Sequence, residues 1–184
     1  YDFSGGFFLN NPELSKLQFD HRNTQLHDLD DGLLTDYDDS LKQYQKEHNL
    51  TIFHLMGQHV SYNFRYRANQ AKFWASSYED KRPELSVKQR KVLSYYDNAT
   101  LYNDSIVAQI VKRFQKQNAI VIYVPDHGEE CYEENRGFIC RNHSADIDWP
   151  LAHYEFEIPF WIYCSPKYIK THRDIYRQIR KAKD

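Results

Sequence analysis

The sequence lacks a long apolar run, and its mean hydropathy of −0.82 is low. Because a membrane-spanning helix needs about 20 consecutive apolar residues, none is predicted in this chain. The sequence also lacks an excess of either charge, with 24 Lys and Arg against 26 Asp and Glu. That balance excludes the basic footprint of a nucleic-acid-binding protein. No basic segment followed by an apolar one opens the chain, so no secretory signal is predicted.

Cysteine is scarce, and the three that occur fit no zinc-ribbon spacing. Cys131 and Cys140 lie nine residues apart in one polar segment. Two interpretations stay open for them: a local disulfide, which an oxidising compartment permits, or two inert thiols. Cys164 lies in an apolar run and is predicted to be a buried free thiol.

Aromatic residues are abundant, with 15 Tyr, 11 Phe and 3 Trp, and 41% of the residues are hydrophobic. This composition excludes a disordered chain, and 184 residues is the size of one domain. The chain begins at Tyr1 rather than Met, and its last residues have the pattern of a helix cut partway along. We therefore expect residues 1–184 to form a single partial domain of a longer protein.

Three apolar runs, residues 50–56, 119–124 and 158–164, are predicted as buried strands. Helices are predicted over residues 33–47, from Ser86 as N-cap to about Lys116, and from Lys167 onward. Near-continuously apolar strands that alternate with helices are typical of a parallel sheet covered on both faces. The predicted class is α/β, with a mostly parallel sheet flanked by helices.

Polar side chains gather where two of the predicted strands end. His59 follows the first strand, and Asp126 and His127 follow the second, with Gly128 allowing a sharp turn. Ligands bind at the carboxyl ends of strands in open parallel sheets. A carboxylate beside an imidazole suits Zn²⁺, with Mn²⁺ as the alternative on carboxylate-rich sites. His59 and His143, sixteen residues after His127, are candidates for a second metal or for contacts to an anionic substrate.

Simpler interpretations apply to other polar residues nearby. His54, inside the first predicted strand, is interpreted as a hydrogen-bonded core residue. The acidic residues between positions 30 and 39 lack the Gly and terminal Glu of a calcium-binding EF-hand and are predicted at turns and helix starts. Four glutamates after the second strand are open to interpretation as a solvated acidic loop: Glu129, Glu130, Glu133 and Glu134.

Five segments between residues 31 and 162, FHLMGQHVSY and VIYVPDHGE among them, resemble motifs of the bacterial phosphoethanolamine transferases of the alkaline phosphatase superfamily. Residues 53–62 (FHLMGQHVSY), with Arg65 and Tyr66, are similar to their "HxxGSHGPxYxxRYP" stretch. Further similar segments are residues 31–34 (DGLL), 96–104 (YDNATLYND), 121–129 (VIYVPDHGE) and 158–162 (IPFWI). The set extends from about residue 30 to 165, and the ordered combination is more specific than any one motif.

The resemblance implies an alkaline-phosphatase-like fold, with this chain as the C-terminal portion of the sulfatase-like catalytic domain. It implies that Asp126 and His127 are zinc ligands and that His59 and His143 contact the phosphoryl group or a second zinc. The implied donor is phosphatidylethanolamine and the implied acceptor a lipopolysaccharide or glycan. The parent protein is then expected to be membrane-anchored on the periplasmic face of the bacterial inner membrane, and the chain itself to be soluble.

The family's nucleophile is a threonine upstream of the DGLL element, and no Thr of this chain lies in that context. We therefore expect residues 1–184 alone to be inactive. Two alternatives remain at this point. A sulfatase shares the metal site and differs in the nucleophile, and an inert metal-binding module would need no nucleophile at all.

Overall fold

A computed structural model describes residues 26–44, 46–141 and 149–182. No helix in these ranges is both long and apolar enough to cross a membrane. The helices are α1 (Asp31–Asp39), α2 (Val87–Phe114), α3 (Trp149–Phe156), α4 (Pro166–Thr171) and α5 (Arg173–Lys181). The strands are β1 (Ile120–Tyr123), β2 (Glu130–Cys131), β3 (Ile139–Cys140) and β4 (Trp161–Cys164). Short 3₁₀ helices span Leu41–Tyr44, Tyr62–Phe64, Ala68–Gln70, Ala75–Tyr78 and Glu133–Asn135.

Helix α2 is the central element, and its predicted start at Ser86 is confirmed. The Ser86 hydroxyl accepts the backbone N–H of Gln89, and the Gln89 side chain accepts the backbone N–H of Ser86. This reciprocal capping box satisfies two backbone donors that the first turn would otherwise leave unpaired. The helix ends at Phe114, two residues before the predicted end.

The predicted parallel sheet is wrong for the described residues. Strands β1 and β4 pair antiparallel, with Ile120 opposite Cys164, and β2 pairs antiparallel with β3. Exposure alternates along β1, because Val121 packs towards α2 while Ile122 faces outward. An apolar run shows that a strand has an apolar environment, but it does not fix the direction of its partner. That direction depends on the path of the chain between β1 and β4, which brings β4 back antiparallel to β1.

Residues 50–56 were predicted as the first strand, and the structure shows no strand there. Phe53 and Leu55 pack against the cluster formed by Leu34 and Ile106, whereas Leu50 is 86% exposed. The segment is thus an apolar, half-covered stretch without a ladder of strand hydrogen bonds. His54 is exposed, so its interpretation as a core residue is also wrong.

The other two predicted helices exist with different bounds. Helix α1 ends at Asp39, and a separate 3₁₀ turn follows at Leu41–Tyr44. The Ser40 hydroxyl donates to the carbonyl of Asp36, and such local bonds compete with helix continuation. The predicted C-terminal helix is two helices, α4 and α5, separated at His172.

Two clusters form the core, one against the C-terminal half of α2 and the other against its N-terminal half. One contains Leu34, Ile106 and Ile110, with Phe53 and Val121 packed against it. The other joins α2 to the 3₁₀ helices and to β2, and it contains Tyr78, Leu85, Leu93, Cys131 and Tyr132. The three cysteines are free thiols, and Cys164 is buried as predicted.

Candidate functional site

The segment after β1 is held by the end of helix α3. The backbone N–H of Gly128 donates to the carbonyl of Glu155 at 2.7 Å. A Cβ at Gly128 would lie 2.2 Å from the carbonyl oxygen of Tyr154, so only glycine permits this approach. Helix α3 therefore fixes the backbone directly after Asp126 and His127.

Asp126 and His127 offer a carboxylate and an imidazole side by side. Nδ1 of His127 lies 2.7 Å from the carbonyl oxygen of Gly128, which makes Nδ1 the protonated nitrogen of the neutral ring and leaves Nε2 as the acceptor. Nε2 is 3.8 Å from Oδ2 of Asp126. The Asp126 side chain is 91% exposed, and that of His127 is 24% exposed.

This donor pair fits a zinc ion. Two ligand atoms bound to one tetrahedral zinc lie roughly 3.3 Å apart, so a small rotation of the exposed carboxylate would bring both within reach. Within residues 26–44, 46–141 and 149–182, no group of three or more His, Cys, Asp or Glu side chains is arranged to hold a metal ion. The described residues thus supply two candidate ligands rather than a complete set.

His59 lies on a turn whose backbone is fixed from both sides. The carboxylate of Asp30 accepts the backbone N–H groups of Met56 and Gly57, each at 2.9 Å. Gly57 has φ +51°, a left-handed conformation that favours glycine. Downstream, the Arg65 guanidinium donates to the carbonyls of His59 and Val60, both at 3.1 Å. The His59 side chain is exposed above this anchored turn.

The His59 segment and the Asp126–His127 segment meet beside the middle of α2. The Tyr62 hydroxyl, three residues after His59, donates to Oε2 of Glu129 at 2.7 Å. On the β1 side, the Nδ2 of Asn103 donates to the hydroxyl of Tyr123 at 3.2 Å. The Oδ1 of the same Asn103 faces Gly57. Two segments almost seventy residues apart in sequence are therefore neighbours, as expected for parts of one site.

Burial sets the electrostatics of the contact between the two segments. Burial raises the pKa of Glu129, while the Tyr62 hydroxyl, His127 and Arg141 act in the opposite direction. Burial, together with the Glu129 carboxylate, raises the pKa of Tyr62 far above the usual value of a phenol. Tyr62 therefore remains a protonated donor throughout the physiological range.

The interpretation of residues 129–134 as a solvated acidic loop is wrong for Glu130. This side chain is 0% exposed and accepts the Arg136 Nε at 2.7 Å. Its second oxygen, Oε2, has no hydrogen-bond partner among the described residues. A buried carboxylate is costly unless it is paired, which explains why the chain places Arg136 against it. Glu129 is half-buried and bonded to Tyr62, so it is not part of a solvated loop either.

Two of the residues in this arrangement were missed at the level of sequence. Tyr62 lies inside the motif of residues 53–62, and the motif itself was the available signal for its importance. Glu129 follows Asp126-His127-Gly128 directly, and a solvated acidic loop had been left open as its interpretation. His143, the fourth residue predicted for the site, lies outside the described residues.

Comparison with known proteins identifies the family. The family model described as Sulfatase matches residues 3–181, nearly the whole chain. The chain belongs to the sulfatase family. Among curated sulfatase-family relatives, the phosphoethanolamine transferase EptC of Escherichia coli K12 is 35% identical over 133 residues, which are 71% of this chain and 22% of that protein.

Solved structures from this family have the same fold. The C-terminal periplasmic domain of EptC from Escherichia coli, in complex with zinc, matches with a TM-score of 0.65 and 29% identity, over 83% of this chain and 42% of that one. The soluble domain of lipooligosaccharide phosphoethanolamine transferase A from Neisseria meningitidis matches with a TM-score of 0.62 and 25% identity, over 95% of this chain and 49% of that one.

The resemblance seen in the sequence motifs is therefore confirmed. The fold of this sulfatase-family chain is that of the alkaline-phosphatase-like domains of phosphoethanolamine transferases, built in the described residues from helices and two small antiparallel sheets. The chain spans about a fifth of the curated relative and less than half of each solved domain.

Proposed function

We propose that the protein containing this chain transfers phosphoethanolamine from phosphatidylethanolamine to a lipopolysaccharide. The main support is the ordered match to phosphoethanolamine transferases together with the Asp126–His127 pair, whose Nε2 and Oδ2 atoms lie 3.8 Å apart. The Neisseria meningitidis relative is described as acting on lipooligosaccharide, which supports this class of acceptor over other glycans. Residues 1–184 are proposed to be one portion of the catalytic domain, towards its C-terminal side.

Asp126 and His127 are proposed as zinc ligands, with Oδ2 and Nε2 as the ligand atoms. The zinc in the Escherichia coli relative favours zinc over manganese. A zinc ion bound there would supply a Lewis acid that polarises a phosphoryl oxygen and acidifies a hydroxyl nucleophile. The Gly128 carbonyl holds the His127 ring in the tautomer that such binding needs.

His59 and His143 are proposed to contact the phosphoryl group. A cationic or hydrogen-bond-donating imidazole at that position would stabilise the negative charge that develops on phosphoryl oxygens. His59 suits this role because its side chain is exposed while its backbone is anchored through Arg65. We propose that the active site lies on the periplasmic face of the bacterial inner membrane, and the periplasmic domain of the Escherichia coli relative supports the periplasmic location.

The test is a transfer assay with the full-length protein. Phosphatidylethanolamine and lipopolysaccharide are incubated with the enzyme, and the phosphoethanolamine adduct is measured by mass spectrometry. We expect His59→Ala to reduce transfer about 100-fold, as for the loss of one charge-stabilising donor. His54→Ala is the matched control, because His54 is another exposed histidine of the same segment. Full activity in the His59 variant would remove that residue from the site.

Metal binding is tested separately by elemental analysis. Asp126→Asn and His127→Ala are expected to lower zinc content, whereas His153→Ala is expected to leave it unchanged. His153 is exposed, pairs with Glu157 at 2.9 Å and is not one of the proposed ligands. If both ligand variants retain the wild-type zinc content, the assignment of the ligands is wrong.

The sulfatase alternative is decided in the same preparation. The family description is shared by enzymes that hydrolyse sulfate esters, so an aryl sulfate is assayed beside the lipid donor. Sulfate release without phosphoethanolamine transfer would replace our proposal with a sulfatase. Zinc binding without either activity would support an inert metal-binding module.

A further inference from the structure

We infer that the hydrogen bond from Tyr62 to Glu129 is a positioning link that sets the separation between the His59 segment and the Asp126–His127 segment. The inference rests on the proposed function, since it assigns a role to two residues that flank the proposed ligands. Neither residue is proposed to touch the substrate. Each is proposed to hold in place a backbone segment that carries a group which does.

Tyr62 is a rigid donor on the His59 side. It is 5% exposed and begins the 3₁₀ helix Tyr62–Phe64. Its ring packs edge-on against Tyr96 of α2, with the ring centroids 5.2 Å apart. The preceding Ser61 has φ +65°, so the chain turns sharply between His59 and the 3₁₀ helix. The ring is thus fixed by packing, and only its hydroxyl reaches the neighbouring segment.

Glu129 is the matching acceptor on the metal side. It lies two residues after His127 and directly after Gly128, whose N–H is bonded to the carbonyl of Glu155. Its Oε2 accepts the Tyr62 hydroxyl at 2.7 Å in a half-buried environment. A hydrogen bond to a carboxylate is roughly twice as strong as one between neutral groups, and shielding from water strengthens it further.

The link matters because both segments are loops. His59 and Asp126 lie outside the helices and strands, so no regular backbone ladder fixes the distance between them. Misplacing a reacting group by about 1 Å can cost roughly 100-fold in rate. Tyr62 lies three residues after His59, and Glu129 lies three residues after Asp126. The bond between them therefore restrains the two segments where such an error would arise.

The same chain contains a matched control. Tyr78 is also a buried tyrosine, and its hydroxyl also donates to a carboxylate, that of Asp97 in α2. Burial and the neighbouring carboxylate raise the pKa of Tyr78, as they do for Tyr62. This bond joins the 3₁₀ helix Ala75–Tyr78 to α2 and touches neither segment of the site. Removing its hydroxyl measures the structural cost of losing a tyrosine–carboxylate bond.

The experiment compares Tyr62→Phe and Tyr78→Phe in the full-length protein. Both are expected to lower the thermal midpoint by a similar amount. Only Tyr62→Phe is expected to lower kcat by about tenfold or more. Glu129→Gln retains an oxygen that accepts the bond. Its kcat is expected to lie between those of the wild type and Glu129→Ala. The double variant Tyr62→Phe with Glu129→Ala should have a kcat no lower than that of Glu129→Ala alone, because the same single bond is lost in both.

Amide hydrogen exchange in the metal-free protein gives a readout that does not depend on activity. Tyr62→Phe is expected to increase exchange in residues 57–61 and 126–129, whereas Tyr78→Phe is not. Equal kcat losses in the two phenylalanine variants, or unchanged exchange in Tyr62→Phe, would overturn the inference. If the wild-type protein neither binds zinc nor transfers phosphoethanolamine, the proposed function fails, and the exchange comparison still decides whether the link holds the two segments.

Discussion

The carboxylate of Asp30 accepts the backbone N–H of Gly57 at 2.9 Å, joining the start of helix α1 to the turn before His59. The same carboxylate accepts the N–H of Met56, and Asp30 is buried. In Asp30→Asn, the amide nitrogen would face one of these two donors, leaving it unsatisfied. The expected loss of stability is about 1.5–3 kcal/mol, the usual worth of buried hydrogen bonds to a charged group.

The matched control for this prediction is Asp31→Asn. Asp31 is the next residue and pairs with Arg67 in a partly exposed ion pair. Such a pair contributes about 0–1 kcal/mol. Urea unfolding of both variants measures the difference, and equal losses would contradict the stabilising role of the two hydrogen bonds to Asp30.

A second prediction separates two ways in which a glycine is required. Gly128→Ala places a Cβ 2.2 Å from the Tyr154 carbonyl oxygen, so helix α3 or the 126–129 segment must move. Gly137→Ala meets only the end of Gln89 at 4.0 Å, but its φ of +67° is strained for alanine. We expect Gly137→Ala to lower the free energy of unfolding by about 1–2 kcal/mol and Gly128→Ala to lower it by more. Thermal unfolding checks the order, and a smaller effect at Gly128 would contradict it.

A third prediction concerns acid. The Arg113 guanidinium donates to the Asp38 carboxylate at 2.6 Å and lowers the pKa of Asp38, chiefly through this hydrogen bond. A carboxyl pKa that is lower in the folded state contributes stability above its unfolded value of about 3.9, and this contribution is lost as the pH falls through the folded pKa. Because the pair is partly exposed, we expect Asp38→Asn to cost about 0.2–1 kcal/mol at pH 7.

The cost of Asp38→Asn should shrink as the pH is lowered from 5 to below 3. Asp39→Asn is the control, since this substitution removes the same charge from an exposed position. Its effect should stay within about 0.5 kcal/mol. Guanidinium unfolding across this range measures both variants, and a cost of Asp38→Asn that is independent of pH would rule out a titrating ion pair.

A fourth prediction concerns the thiols. Burial raises the pKa of both Cys131 and Cys164, so the two thiols stay protonated. Burial also restricts the access of reagents to them. Cys140 is half-exposed. In the native protein at pH 8, iodoacetamide should therefore modify Cys140 first, and the other two only after unfolding. Peptide mass spectrometry follows each site. A protein in which neither Cys131 nor Cys140 can be alkylated without reduction would instead contain the disulfide that the sequence left open.

The start of helix α2 could be predicted because its signal is local. Ser86 and Gln89 lie three residues apart, and their reciprocal bonds form wherever that helix begins. The direction of strand pairing could not be predicted, because Ile120 and Cys164 are brought together by all the intervening chain. Residues 50–56 have the composition of a strand, but a strand also requires a partner, and composition does not supply one.

In the candidate site too, the features with a local sequence signal were predictable and the contacts between distant residues were not. Asp126 and His127 are adjacent and follow an apolar run, so their common location at its end was predictable. The contact between Tyr62 and Glu129 joins positions 67 residues apart, and no local sequence pattern predicts it. The burial of Glu130 could not be predicted, because a run of acidic residues is usually solvated. Its partner Arg136 lies six residues further on, across an irregular turn.

Gly128 has a consequence for reading related genomes. Its missing side chain is required by the Tyr154 carbonyl of helix α3. A descendant that lost its catalytic groups while keeping this helix in place would still be constrained to retain the glycine. An Asp-His-Gly signature whose glycine survives in a degenerate copy therefore records an inherited backbone contact. Such a glycine is therefore no evidence for metal binding, which we propose to depend on Asp126 and His127.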